Sequence, residues 1–121
     1  MNTSTEKVLF PHVTHAECDN DTVRLTLKIP EDLFYFKGHF PGNPILPGIV
    51  QLHWAIKWIK SYFNAPELCF NKVSILKFQQ ITTPNQTIEL MLEKSENKEK
   101  QFRFNYSSAL GSHASGRIIF D

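Results

Sequence analysis

The run Gly38-His39-Phe40-Pro41-Gly42-Asn43-Pro44-Ile45-Leu46-Pro47-Gly48 decides how this chain is read. Across residues 35–48, three prolines and three glycines fix some φ angles and free others, so the backbone follows one specific irregular path. Pro47 suits the first turn of a helix, where a missing N–H costs nothing. Residues 48–63, rich in Ile, Leu, Trp and Ala, read as that helix. The loop therefore holds an imidazole directly before a helix start. Histidine changes charge nearest neutral pH, which suits it to proton transfer. The helix start offers unpaired N–H groups and the positive end of a dipole. Removing a proton α to a thioester carbonyl requires such a pair, because the developing enolate needs hydrogen-bond donors. Alone, a loop histidine is more often an ordinary loop residue; the surrounding string gives this one weight.

Upstream, residues 22–29 alternate cleanly. Val23, Leu25, Leu27 and Ile29 share one face, and Arg24, Thr26 and Lys28 the other, which predicts a half-buried strand. Residues 8–18 are strand-like, but Pro11 interrupts the ladder and points to an edge or a bulge. The Asp19-Asn20-Asp21 cluster is a turn, and residues 31–34 suit one helical turn. Downstream, strands are expected over 69–80, 87–95, 101–109 and 112–120, joined at Thr83-Pro84-Asn85, at the charged stretch 96–100 and at Gly111. Two strands, a loop, one long helix and four strands make an α+β layer arrangement. A sheet wrapped around the helix would explain why Ile49, Val50, Leu52, Trp54, Ala55, Ile56, Trp58 and Ile59 cover most of its circumference.

The 121 residues fit one domain, 1–121, and 41% apolar residues with ten Phe supply a core. A net charge of +1 argues against nucleic-acid binding through broad electrostatics. Cys18 and Cys69 lack metal-like spacing and read as reduced, partly buried thiols. Residues 1–7 lack the apolar run of a signal peptide, and no stretch approaches the ~20 apolar residues of a membrane span, so a cytoplasmic location is expected. His12, His15 and His113 form no recognised metal set and read as strand or surface residues; no metal is expected. No nucleophile elbow and no phosphate-binding glycine loop occurs.

The string Gly38 to Gly48 resembles the signature of the β-hydroxyacyl-ACP dehydratases, the FabA/FabZ family of hot-dog enzymes. Both Pro-Gly pairs, the His before the first and the helix start after the second match in spacing. The likeness is dense over residues 34–59. It thins towards the end, where Lys77-Phe78 and Thr83-Pro84-Asn85-Gln86 stand at a family strand and turn. The resemblance implies a hot-dog fold, an antiparallel six-stranded sheet around one central helix, in a homodimer with a continuous sheet. It implies a 3-hydroxyacyl thioester carried on the phosphopantetheine arm of an acyl carrier protein, with no further cofactor. It assigns His39 as base and the Gly48 N–H as donor to the thioester oxygen, with Phe40, Pro41, Gly42, Pro47, Ile49 and Trp54 against the substrate. The phrase Gln51-Leu52-His53-Trp54-Ala55 is most similar to the ApeI-like branch, associated with aryl polyene and related polyunsaturated lipid synthesis.

One position departs from the pattern. The family's second catalytic residue is an Asp or Glu fourteen positions after the His; here it is His53, and the helix holds no carboxylate. Three readings follow. His53 replaces the acid, donating to the leaving hydroxyl or orienting a water; or it is structural in a silent thioester-binding subunit that pairs with a related chain; or the scaffold hydrolyses thioesters. At about 100° per residue, Lys57 and Lys60 fall within roughly 40° of His53, so the three share a polar arc. That arc either simply faces solvent, or its first turn faces the site; the preserved register with His39 favours the second. Lys37, Lys57 and Lys60 are candidates for meeting the acidic surface of a carrier protein, although charged residues more often only solvate a surface.

Overall fold

The computed structural model describes residues 7–37, 42 and 44–121. Six strands and one helix occur among them: β1 His12–Cys18, β2 Thr22–Lys28, α1 Gly48–Tyr62, β3 Phe70–Phe78, β4 Thr87–Lys94, β5 Gln101–Ser108 and β6 Gly111–Phe120, with a short 3₁₀ turn at Phe34–Phe36. The strands form one antiparallel sheet in the order β1-β2-β4-β5-β6-β3. Chain order and spatial order therefore part company at β3, which crosses to the far edge after α1.

Strict alternation explains which face each central strand buries. Val23, Leu25 and Leu27 of β2, Ile88, Leu90 and Leu92 of β4, and Phe102, Phe104 and Tyr106 of β5 all point to one side. There they join Val50, Leu52, Trp54, Ala55, Trp58 and Ile59 of α1 in a single core. The helix is thus apolar on the side the sheet covers. His53, Lys57 and Ile49 lie on its other side, Ile49 with 55% of its surface exposed.

The two sheet edges differ. Pro11 stands just before β1 and its Pro-free ladder, and every residue of β1 is exposed, as suits an edge strand. A bulge falls between Val13 and His15, as the proline-interrupted sequence suggested. Ahead of the strand the chain turns back on α1: Trp54 Nε1 donates to the Leu9 carbonyl at 3.0 Å, and the Phe10 ring packs on Trp58 at 6.3 Å. At the opposite edge, β3 leaves Phe70, Ile75, Leu76 and Phe78 exposed. Its register with β6 breaks between Ser74 and Lys77, where Ile75 adopts φ 53°, a strained backbone for a β-branched residue.

Two expectations need correction. Cys18 and Cys69 are exposed rather than partly buried, because one ends an edge strand and the other precedes one. The helical turn expected at 31–34 is instead the 3₁₀ turn at Phe34–Phe36, set by Phe36 N–H donating to the Leu33 carbonyl at 3.1 Å. Of the ten Phe, Phe36, Phe102, Phe104 and Phe120 serve the core.

Candidate active site

Helix α1 begins without a side-chain cap. Pro47 occupies the cap position with extended backbone, its carbonyl accepts from Val50 N–H at 3.1 Å, and the first turn holds no acidic residue. Among the described residues no acceptor meets the N–H groups of Gly48 and Ile49. A helix start of this kind is positively polarised, and its first N–H groups are of the type that can stabilise a developing oxyanion. Why position 48 is glycine is visible too. A Cβ there would stand 2.5 to 2.8 Å from three ring carbons of Phe78, on β3. Phe78 therefore lies directly over the helix start, half of its surface open.

Gly42 is the other glycine the loop requires, with φ 81° in the left-handed region. His39, Phe40 and Pro41, together with Gly38 and Asn43, lie outside the described residues. Beyond the loop, His53 is exposed and stands four residues after Ile49, on the same side of α1. It lines a groove of about 540 Å³ with Ile56, Lys57, Lys60, Ser61 and Pro66. The polar arc read from the sequence thus exists and includes both lysines. Lys57 Nζ also sits 5.1 Å from the centre of the Phe10 ring.

Of the residues expected to contact substrate, Gly42, Pro47 and Ile49 are at least partly open. Trp54 is not. It is buried in the core against Trp58 and spends its one donor on Leu9, so it backs the helix rather than joining the His53 face.

A buried polar chain reaches the helix start, and the sequence alone gave its members no such place, His113 reading as a strand or surface residue. Gln51, Thr82 and His113 are the buried polar side chains among the described residues, and they form one chain. Gln51 Nε2 donates to Thr82 Oγ1 at 3.2 Å, and Thr82 Oγ1 lies 3.0 Å from His113 Nδ1. His113 Nε2 lies 2.7 Å from Ser108 Oγ, which also accepts from Leu110 N–H. Burial lowers the His113 pKa below 6.5, only partly opposed by the Ile81 carbonyl. The Tyr106 hydroxyl donates to the Gln51 carbonyl at 2.6 Å, and burial raises its pKa well above 10.0. The available signal was weak. Gln51 breaks an apolar helix run, but His113 is turned inward by a bulge that alternation cannot reveal.

One long helix that starts behind a Pro/Gly loop and packs along one six-stranded antiparallel sheet defines a hot-dog protein. Comparison with known proteins narrows this. Residues 15–117 match the model of the ApeI-like family, described as ApeI dehydratase, and the chain belongs to that family. A 3-hydroxyacyl-acyl-carrier-protein dehydratase FabZ from Novosphingobium aromaticivorans is 20% identical over 84% of this chain and 69% of its own length. The FabZ of Latilactobacillus sakei is 31% identical over 54% of this chain and 51% of its own, so this chain spans about half of that relative. Among solved structures, the dehydratase heterocomplex ApeI:P from Xenorhabdus doucetiae superposes with a TM-score of 0.83 at 28% identity, covering 91% of this chain and 96% of that one. An uncharacterized protein from Erwinia carotovora subsp. atroseptica gives a TM-score of 0.76 at 32% identity, covering 93% and 94%.

Proposed function

We propose that this chain dehydrates 3-hydroxyacyl thioesters, carried on the phosphopantetheine arm of an acyl carrier protein, to trans-2-enoyl thioesters. The observation that carries this reading is the start of α1: Pro47 gives it no side-chain cap, and the Gly48 and Ile49 N–H groups, which meet no acceptor among the described residues, directly follow the histidine loop, with His53 about one turn further on. In the reaction His39 removes the C2 proton, and the Gly48 N–H donates to the thioester oxygen as enolate charge builds. Collapse of the enolate expels the C3 hydroxyl, which leaves as water with a proton from His53 or from a water His53 orients. One C–H and one C–O bond break, and a C2=C3 double bond forms. Gly42, Pro47 and Ile49, with Phe40 and Pro41 of the loop, flank the acyl group. A conjugated or aryl-primed polyene chain is the substrate that the family membership favours, in the cytoplasm.

A second hot-dog protomer completes the assembly. An unpaired edge with four exposed apolar side chains is a template for strand addition, whereas β1 is short, polar and proline-flanked. Ile81 and Leu110 are exposed apolar side chains as well. The partner is a second copy, or a related chain. The latter reading draws on His53 standing where a carboxylate is expected and on the Xenorhabdus relative being a heterocomplex. The exposed Lys37 and Lys57, with Lys60, are the cations that would meet an acidic carrier.

The test is to incubate the purified protein with a 3-hydroxyacyl carrier protein and follow the product by mass. Loss of one water supports dehydration. Release of free acid would reassign the protein as a thioesterase, and turnover only after adding a related hot-dog chain would make it the silent subunit.

A further inference from the structure

We propose that His113 is a positioning residue for the active-site helix start, acting through Thr82. The inference rests on the dehydratase reading for its kinetic consequence, and on geometry alone for its structural one. Thr82 holds the chain on both sides of Gly48. Before it, the Thr82 carbonyl accepts from Leu46 N–H at 2.8 Å; after it, Thr82 Oγ1 accepts from Gln51 Nε2 at 3.2 Å. Residues 46 and 51 bracket the Pro47-Gly48 step, so wherever Thr82 sits, the donor amide follows.

Thr82 belongs to a connection between β3 and β4 and has no ladder to hold it. His113 supplies the anchor. In the β5–β6 pairing, Tyr106 faces Ala114 while Ser107 faces Ser112, so His113 is the extra residue of a bulge. A bulge of this kind re-aims a side chain. Here it turns an imidazole inward beside Ala114, leaving none of its surface exposed. Both ring nitrogens are engaged, Nδ1 with Thr82 Oγ1 and Nε2 with Ser108 Oγ. The His113 carbonyl also accepts from Gln79 and Gln80 N–H, tying the same point to the strand end that carries Phe78. A neutral ring has one donor and one acceptor, and the two hydroxyls can each play the complementary part in either tautomer. The groups facing the ring are hydroxyls and the Ile81 carbonyl; Tyr106, bonded to the Gln51 carbonyl, is a titratable member of the network, and among the described residues no charged side chain hydrogen-bonds to the ring. A fully satisfied buried network of this kind fixes one arrangement and penalises others.

The experiment compares wild type, His113→Phe and His113→Asn by amide hydrogen exchange and by steady-state kinetics. In His113→Phe, exchange at the Leu46 amide should rise about tenfold while β2 and β4 amides hold, since only one tether is loosened. Turnover should fall by roughly 10- to 100-fold with KM within about twofold, the pattern of a displaced reacting group. His113→Asn, which still reaches Thr82, should recover most of both. Thr82→Val gives the same readouts should the Phe variant fail to fold. An unchanged Leu46 amide, or a loss of protection spread evenly over the sheet, would overturn the proposal. If the wild type does not dehydrate 3-hydroxyacyl thioesters the functional reading fails, and the Leu46 amide still decides the positioning role.

Discussion

Replacing Gly48 by alanine loads a close approach at the candidate site. The added Cβ would lie 2.5 Å from a Phe78 ring carbon, about 0.9 Å inside the 3.4 Å where ordinary van der Waals contact begins. Either the half-exposed ring retreats or the helix start does. Stability changes little, because alanine is a better helix former than glycine by about 1 kcal/mol and offsets part of the crowding. Function does not escape so easily. A displacement near 1 Å at a reacting group costs roughly 100-fold in rate, or about 2.7 kcal/mol of barrier. Gly48→Ala should therefore keep its melting temperature within a few degrees and lose about two orders of magnitude in kcat/KM for dehydration. The double variant Gly48→Ala/Phe78→Leu, with the opposing ring removed, should regain at least tenfold. Full activity in the single variant, or no recovery in the double, would refute the argument from close packing.

Three further outcomes follow from the same geometry. His53→Ala should cut turnover by about two to four orders of magnitude if it handles the leaving hydroxyl, and His53→Glu should retain activity; an unchanged rate in the alanine variant removes it from the reaction. Because burial holds His113 below 6.5, the unfolded chain binds more protons just under that pH, so this group's stability is full above about 6.5 and is lost as pH falls below it. Melting curves at about pH 7.5 and about pH 5.5 should show a larger acid loss for wild type than for His113→Phe, and equal losses would contradict the assignment. Ile75→Asp places a charge on the β3 edge, at a left-handed φ that Asp tolerates better than Ile. Sedimentation should then report a monomer with a native-like circular dichroism spectrum and no activity; a persistent dimer would place the partner elsewhere.

Much of this architecture was legible because it depends on periods. The 22–29 alternation became β2, and the apolar run after Pro47 became α1 within one residue of its expected end. What stayed hidden depends on events that break period. The bulge at His113 turns a strand histidine into a buried tether, and the irregularity at Ile75 leaves apolar side chains on an edge. Sheet order was invisible for a related reason, since nothing local says that β3 crosses to pair with β6. In the candidate site, the motif pointed to Gly48 and the register to His53. Phe78 and Thr82 reach the helix start from across the fold and left no mark in spacing.

Turnover of a 3-hydroxyacyl carrier protein bearing two deuteriums at C2 tests the elimination most directly. Wild type should yield an enoyl product lighter by one HOD, retaining a single deuterium, and His39→Ala should leave the substrate mass unchanged. Appearance of free acid with both deuteriums kept, or an undiminished rate in His39→Ala, would contradict the account.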